Sequence, residues 1–250
     1  MTGGLPTTIL HTNDLHGRLT PARADAIRGL KDADDAVFFD SGDCIKAGNL
    51  AIPVRPDPAW GLLARAGCDA GAIGNRESHV MRSAFRAKLA GASHALLCAN
   101  LRAKDGTHPL RATLTIEAGG IRIGLIGVMV PMVTRRMASA PASQFLWDPP
   151  IESAIRAARG LRPEVDLLVA LTHIGHREDL ELAERSSAEG LIDVVLGGHS
   201  HTVVPAPVRV SVGSGRPCWV CQGGSHGKYV GRYDWDGREL TGHLVPLPDI

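Results

Sequence analysis

The stretch His11-Thr12-Asn13-Asp14-Leu15-His16-Gly17 decides how the chain is read. It follows Pro6-Thr7-Thr8-Ile9-Leu10, a β-branched run that predicts a buried first strand. Asp14 and His16 then lie just past the carboxyl end of that strand, where open α/β sheets place their ligands. Two residues apart in a loop, a carboxylate oxygen and an imidazole nitrogen can converge on one divalent metal, a donor mix that suits Zn, Mn or Fe. Taken alone, Asp-x-His is a common solvated turn. Its weight comes from recurrence downstream.

The same event repeats along the chain. Ala36-Val37-Phe38-Phe39 reads as a second buried strand ending in Asp40-Ser41-Gly42-Asp43, and Asp69 to Ile73 as a short strand running into Gly74-Asn75-Arg76-Glu77. Val165 to Leu171 delivers Thr172-His173-Ile174-Gly175-His176, and Ile192 to Leu196 delivers Gly197-Gly198-His199-Ser200-His201. Each segment is separately an ordinary turn. Together they bring two Asp, one Asn and four His (Asp14, Asp43, Asn75, His16, His173, His199 and His201) to equivalent strand ends, the donor set a dinuclear metal site needs. Glycines at 17, 42, 74, 197 and 198 permit tight turns beside such ions.

Between these segments, helices are expected over Ala22 to Leu30, Ala59 to Ala66, Val80 to Leu89, Ile151 to Leu161 and Glu178 to Glu184. A fourth strand, Ala95 to Cys98, leads into Ala99-Asn100-Leu101. Ala112 to Ile116 and Ile121 to Val128, separated by Ala118-Gly119-Gly120, read as a hairpin. Pro131 to Pro150 reads as irregular, and the segment beyond His201 as antiparallel strands. Two βα-rich halves with hairpins suggest two packed sheets with helices outside, in one domain over residues 1–250.

Composition excludes several classes. The net charge is +1 and aromatics make up 4%, so neither a nucleic-acid groove nor an anionic membrane is indicated as a partner. No apolar run is long enough to span a bilayer, and Met1-Thr2-Gly3-Gly4 has no basic region or long apolar segment, so a secretory signal is not expected. Five cysteines with scattered spacing fit a reducing, cytoplasmic compartment. Cys218 and Cys221 lie three apart in a strand and so face opposite sides, which suits core packing rather than chelation.

At this point the sequence resembles the calcineurin-like metallophosphoesterases, and within them the catalytic domain of the bacterial 5′-nucleotidases. The likeness rests on the five strand-end segments above, in order, with support from Cys98-Ala99-Asn100-Leu101, Ile123-Gly124-Leu125-Ile126-Gly127 and Gln222 to Gly231. The resemblance implies a four-layer α/β/β/α sandwich of two packed mixed sheets carrying two divalent metal ions (Mn, Zn, Fe, Co or Ni). Asp14, His16 and His201 are implied to hold one ion and Asn75, His173 and His199 the other, with Asp43 bridging. The implied activity is that of a phosphomonoesterase on a nucleotide-like or other small phosphorylated substrate, through attack of a metal-bridging hydroxide. A phosphodiesterase or nuclease, and a non-catalytic metal-binding relative, are the alternatives.

The chain departs from the family in ways that bear on these roles. The third motif of the family is Gly-Asn-His followed by an acid; here Arg76 stands at the histidine's place. Arg76 is therefore expected to clamp phosphoryl oxygens without donating a proton. His79, one helical turn on, is the other candidate for the catalytic acid, while Asn75 and Asn100 are candidate substrate contacts. The nucleoside-gripping C-terminal domain of the 5′-nucleotidases is not expected within residues 1–250. Many relatives are exported; here a cytoplasmic location is expected. Arg82, Arg86 and Lys88 read as a solvated basic face, and His11 as a residue packed in the first strand.

Overall fold

The computed structural model describes residues 6–248; residues 1–5, read above as lacking a secretory signal, and residues 249–250 lie outside the described residues. In chain order the elements are β1 (Thr7–Thr12), α1 (Pro21–Asp34), β2 (Val37–Asp40), α2 (Pro58–Ala66), β3 (Ala70–Ala72), α3 (Arg82–Leu89) and β4 (Ala95–Leu97). There follow β5 (Leu101–Ala103), β6 (Thr113–Ala118), β7 (Ile121–Met129), β8 (Phe145–Trp147), α4 (Pro150–Leu161), β9 (Leu167–His173) and α5 (His176–Glu189). The remainder is β10 (Val194–Leu196), β11 (Val208–Val210), β12 (Cys218–Cys221), β13 (Tyr229–Trp235) and β14 (Leu240–Pro246).

Two six-stranded mixed sheets result, ordered β14-β13-β1-β2-β3-β4 and β11-β12-β10-β9-β7-β6. Strands β1 to β4 run parallel, as do β7, β9, β10 and β12, with antiparallel strands at the margins. The alternation of side chains along each strand assigns the layers. Ile9, Phe39, Ala72, Leu125, Val169 and Leu196 meet between the sheets. Leu10 and Phe38 turn the other way and pack on Ile27 of α1 and Trp60 and Leu63 of α2. On the far side Leu168, Ala170 and Val195 pack on Ile155 of α4 and Leu182 of α5. Helix, sheet, sheet and helix thus form the four-layer sandwich, a mixed α/β fold.

Local signals explain the element ends. Asp57 caps α2, its side chain accepting from the Ala59 amide at 3.0 Å, Pro58 follows, and Gly67 closes the helix in the left-handed conformation. The structure differs from the expectations in several places. Helix α5 extends beyond the expected Glu178–Glu184, because Gly175 and Gly190, both at positive φ, set its ends while Ser186 and Ser187 blur its apolar periodicity. The segment 131–150 is not wholly irregular: β8 pairs antiparallel with β5 in a small third sheet. Three-residue strands leave no period to read. The segment beyond His201 is not all antiparallel, since β12 runs parallel to β10. Buried on both faces, Cys218–Cys221 has the apolar continuity of a central parallel strand. Its cysteines do face opposite cores. Finally, Lys88 is not solvated but fully buried.

Candidate metal centre

Parallel pairing of β1, β2 and β3, and of β9 and β10, brings their carboxyl-end loops to one edge. The loop after β1 is tied to the loop after β2 by main-chain bonds: the amides of Asp14, His16 and Gly17 donate to the carbonyls of Gly42, Asp43 and Cys44 at 2.9, 2.8 and 2.8 Å. The His226 amide donates to the Asp14 carbonyl at 2.8 Å. Asp14, His16, Asp43, His199 and His201 all adopt positive φ, between 49° and 77°. Non-glycine residues in that region are strained, and such strain clusters at functional sites. Close approach adds to it: a Cβ on Gly74 would lie 2.2 Å from Asp43 Oδ1, and one on Gly198 would lie 3.0 Å from His173 Nδ1.

Two groups of donors converge. Asp14, His16 and His201 form the first, with His201 Nε2 at 3.2 Å and His16 Nε2 at 3.6 Å from Asp14 Oδ1. Asp14, Asp43 and His173 form the second, with His173 Nε2 at 3.5 Å from Asp43 Oδ1. Asp43 reaches both, because its Oδ2 lies 3.3 Å from His16 Nε2. Asn75 completes the second side: its Oδ1 lies 3.1 Å from both His173 Nε2 and His199 Nδ1. The Ser41 carbonyl accepts from His173 Nδ1 at 2.8 Å, which fixes the tautomer and leaves Nε2 as the inward donor atom.

The cluster fits divalent cations. Asp14 Oδ1 and His16 Nε2 are buried without any hydrogen-bond partner, a costly arrangement unless a cation lies against them. Asp14 Oδ2, by contrast, accepts from Asn13 and from the His199 amide, both at 2.8 Å. The electrostatics carry the same signature. Burial opposes charge on both His16 and Asp14, yet their attraction and the neighbouring Asp43 and His173 prevail, so His16 is raised to about 9 and Asp14 lowered to about 2. Without a metal, the carboxylates draw a proton onto the imidazole.

The other candidates lie differently. The Arg76 amide donates to Asp43 Oδ1 at 2.7 Å, and its guanidinium sits with Nε 3.7 Å from Asp43 Oδ2 while Nη1 donates to the Lys46 carbonyl. Arg76 is therefore at the centre's edge. His79 is not brought to the carboxylates: its Nδ1 accepts from the Met81 amide at 3.0 Å, and burial, then the charge of Lys88, holds its pKa down. Asn100 spends its amide on main chain, donating to the Met129 and Asp148 carbonyls and accepting from the Met129 amide. His11 lies fully buried in β1 with Nε2 3.0 Å from Ser41 Oγ; burial lowers its pKa to about 3.

Sequence reasoning missed several supporting residues. The His226 ring packs edge-on against His16 and His201, with centroids 5.0 and 6.0 Å apart. Its only signal was its place in Gly224-Ser225-His226-Gly227. Asn13 ties the first loop to the segment after β12, donating to the Gly224 carbonyl and accepting from the Gly223 amide. The buried Glu77 carboxylate accepts from the amides of Asp43, Gly74 and Ile45 at 2.8, 2.9 and 3.1 Å.

The fold and this edge define a metallophosphoesterase-type domain, and comparison with known proteins agrees. Residues 7–203 match the calcineurin-like phosphoesterase family. The chain belongs to that family. It is 29% identical to a 5′-nucleotidase of Vibrio parahaemolyticus over 96% of this chain and 50% of that protein. It is 25% identical to the trifunctional nucleotide phosphoesterase YfkN of Bacillus subtilis, over 91% of this chain and 18% of that one. Among solved structures, a 5′-nucleotidase precursor from Thermus thermophilus superposes with a TM-score of 0.79 at 25% identity, covering 97% of this chain and 54% of that one. The chain thus spans about half, or less, of these relatives' length. Among the described residues no helix is long and apolar enough to cross a membrane.

Proposed function

We propose that this chain is a catalytic domain that hydrolyses phosphomonoesters of nucleotide-like or other small molecules with two divalent cations, of Mn, Zn, Fe, Co or Ni. Asp14, His16 and His201 would hold one cation, Asn75, His173 and His199 the other, and Asp43 would be shared. Such a pair supplies charge to polarise the phosphoryl group and to acidify a water. The observation that carries this reading is Asp43, whose two oxygens face His16 and His173 separately at 3.3 and 3.5 Å.

The chain's own residues supply the rest. Arg76 offers a permanent charge and a planar fork at the centre's edge, suited to two phosphoryl oxygens. The Lys46 carbonyl and Asp43 orient it, so it binds rather than moves a proton. Leaving groups that need little protonation are therefore favoured. A role as a non-catalytic metal-binding relative draws on the same residue, since arginine cannot act as general acid. Residues 1–250 are read as a single domain, and a cytoplasmic location is inferred from five unpaired cysteines, four of them buried.

The test is hydrolysis of an aryl phosphate, an aryl phosphodiester and a panel of phosphorylated metabolites, with each of the five metals added in turn. Monoester turnover that requires metal supports the proposal. Diester preference would move the assignment to the phosphodiesterase alternative, and no turnover with bound metal to the non-catalytic one.

A further inference from the structure

Lys88, on α3, is fully buried. Its ammonium donates to the carbonyls of Gly48, Asn49, Arg76 and Ser78 at 2.8, 2.9, 2.6 and 3.1 Å. Burying a charge is costly unless it is fully partnered. A methyl-terminated side chain could fill the same core space, so packing alone does not account for it. The four carbonyls belong to two loops, 46–50 and 75–79, and among the described residues no main-chain hydrogen bond joins them. Lys88 links the two from the buried side, and Arg76 Nη1 adds a more exposed tie to the Lys46 carbonyl.

The consequence falls on Asn75. Asn49, exposed on the first loop, accepts through Oδ1 from Asn75 Nδ2 at 2.9 Å. The two ends of an amide have the same shape and opposite hydrogen-bonding character. With an acceptor at Asn49, the nitrogen end of Asn75 points there, and the oxygen end faces His173 Nε2 and His199 Nδ1 at 3.1 Å. A flipped Asn75 amide would aim its N–H groups into the cation site, and would keep its bond to Asn49 only if that amide turned as well.

We propose that Lys88 and Asn49 are positioning residues for the second half of the metal centre: Lys88 fixes the 46–50 loop, and Asn49 holds the Asn75 amide so that Oδ1 is presented as a donor. This rests on the reading of Asn75 as a ligand given above. Outer partners that orient ligands typically change metal affinity by about 10–100-fold when removed.

The experiment is a Co(II) titration of the full chain, followed by visible absorption and by calorimetry, on the parent, Asn49→Ala, Asn49→Asp, Asn75→Ala and the Asn49→Ala/Asn75→Ala pair. The parent should take up two ions. Asn49→Ala should weaken one by roughly 10–100-fold and leave the other unchanged. Asn49→Asp, which keeps the acceptor, should bind at least as tightly as the parent. Asn49→Ala should add nothing in the Asn75→Ala background, because the two act in series. Lys88→Met should behave like Asn49→Ala; if it fails to fold, the exposed Asn49 variants still decide. Parental affinities in Asn49→Ala, or equal weakening in Asn49→Ala and Asn49→Asp, overturn the inference. A parent that binds fewer than two ions overturns the metal-centre reading itself, and this inference with it.

Discussion

The two halves of the candidate metal centre are built by different means. The Asp14 and His16 loop is held mainly by main chain, with three amides donating across to the loop after β2 and one arriving from His226. Asn13 adds a side-chain tie. The Asn75 loop is held by side chains carrying buried charge, Glu77 against three amides and Lys88 against four carbonyls. Main-chain ties are indifferent to most substitutions, whereas a charge-held loop fails when one side chain is removed. The first half should therefore tolerate sequence change outside its ligands. The second should not.

Asp43 lies where the halves meet, so its loss gives the largest effect. Asp43→Asn should lower metal-dependent turnover by roughly 10³-fold or more, since it removes a charge that both halves use. His16→Ala should weaken chiefly one ion. Elemental analysis together with kcat/KM on an aryl phosphate checks both, and two-ion occupancy retained in Asp43→Asn would dissolve the idea of a shared carboxylate.

The contrast between the two kinds of anchoring is tested by stability. Glu77→Ala leaves three buried amides without their acceptor and should cost about 3–5 kcal/mol. Asn13→Ala, on the main-chain-held side, should cost only about 1–2 kcal/mol. Urea midpoints of the metal-free variants decide, and equal losses would mean that the halves are not differently built.

Arg76 gives the next effect. Arg76→His introduces a group able to protonate a departing alkoxide, a contribution of about 10²–10⁴-fold where geometry allows. Alkyl phosphate turnover should rise more than aryl phosphate turnover in that variant. A uniform change across esters of graded leaving-group pKa would show that the position governs binding alone.

The smallest effect concerns pH, and its sign differs between halves. In the metal-free protein His16 is raised to about 9, so its stabilising contribution is complete below pH 6.5 and lost as pH rises toward 9. Because solvent reaches part of the ring and screens it, the contribution should amount to about 1 kcal/mol. Burial, then the charge of His173, lowers His199. Its contribution is complete above pH 6.5 and lost as pH falls through the lowered value. Urea midpoints against pH for His16→Gln should therefore flatten the alkaline limb, and those for His199→Gln the acid limb.

The sequence disclosed these halves unequally. The candidate site residues at strand ends were readable because apolar runs such as Val165 to Leu171 announce a strand and the residue that follows it. Two packed sheets were readable from the two βα-rich halves with hairpins, and the four layers from the family resemblance. What anchors the second half was not, because Lys88 sits among Arg82 and Arg86 on a helix whose charges predict a solvated face. Only the tertiary approach of two loops gives its ammonium four carbonyls. His226 and Asn13 were hidden for a related reason. Their contacts join positions some two hundred residues apart, which no local pattern encodes. The parallel direction of β12 is likewise a property of its partner β10, not of Cys218–Cys221.

Anomalous diffraction from crystals of the chain loaded with manganese would show whether each half holds an ion. Two peaks are expected flanking the Asp43 carboxylate, one among Asp14, His16 and His201 and the other among Asn75, His173 and His199. A single peak, or none at this edge, would contradict a two-ion centre.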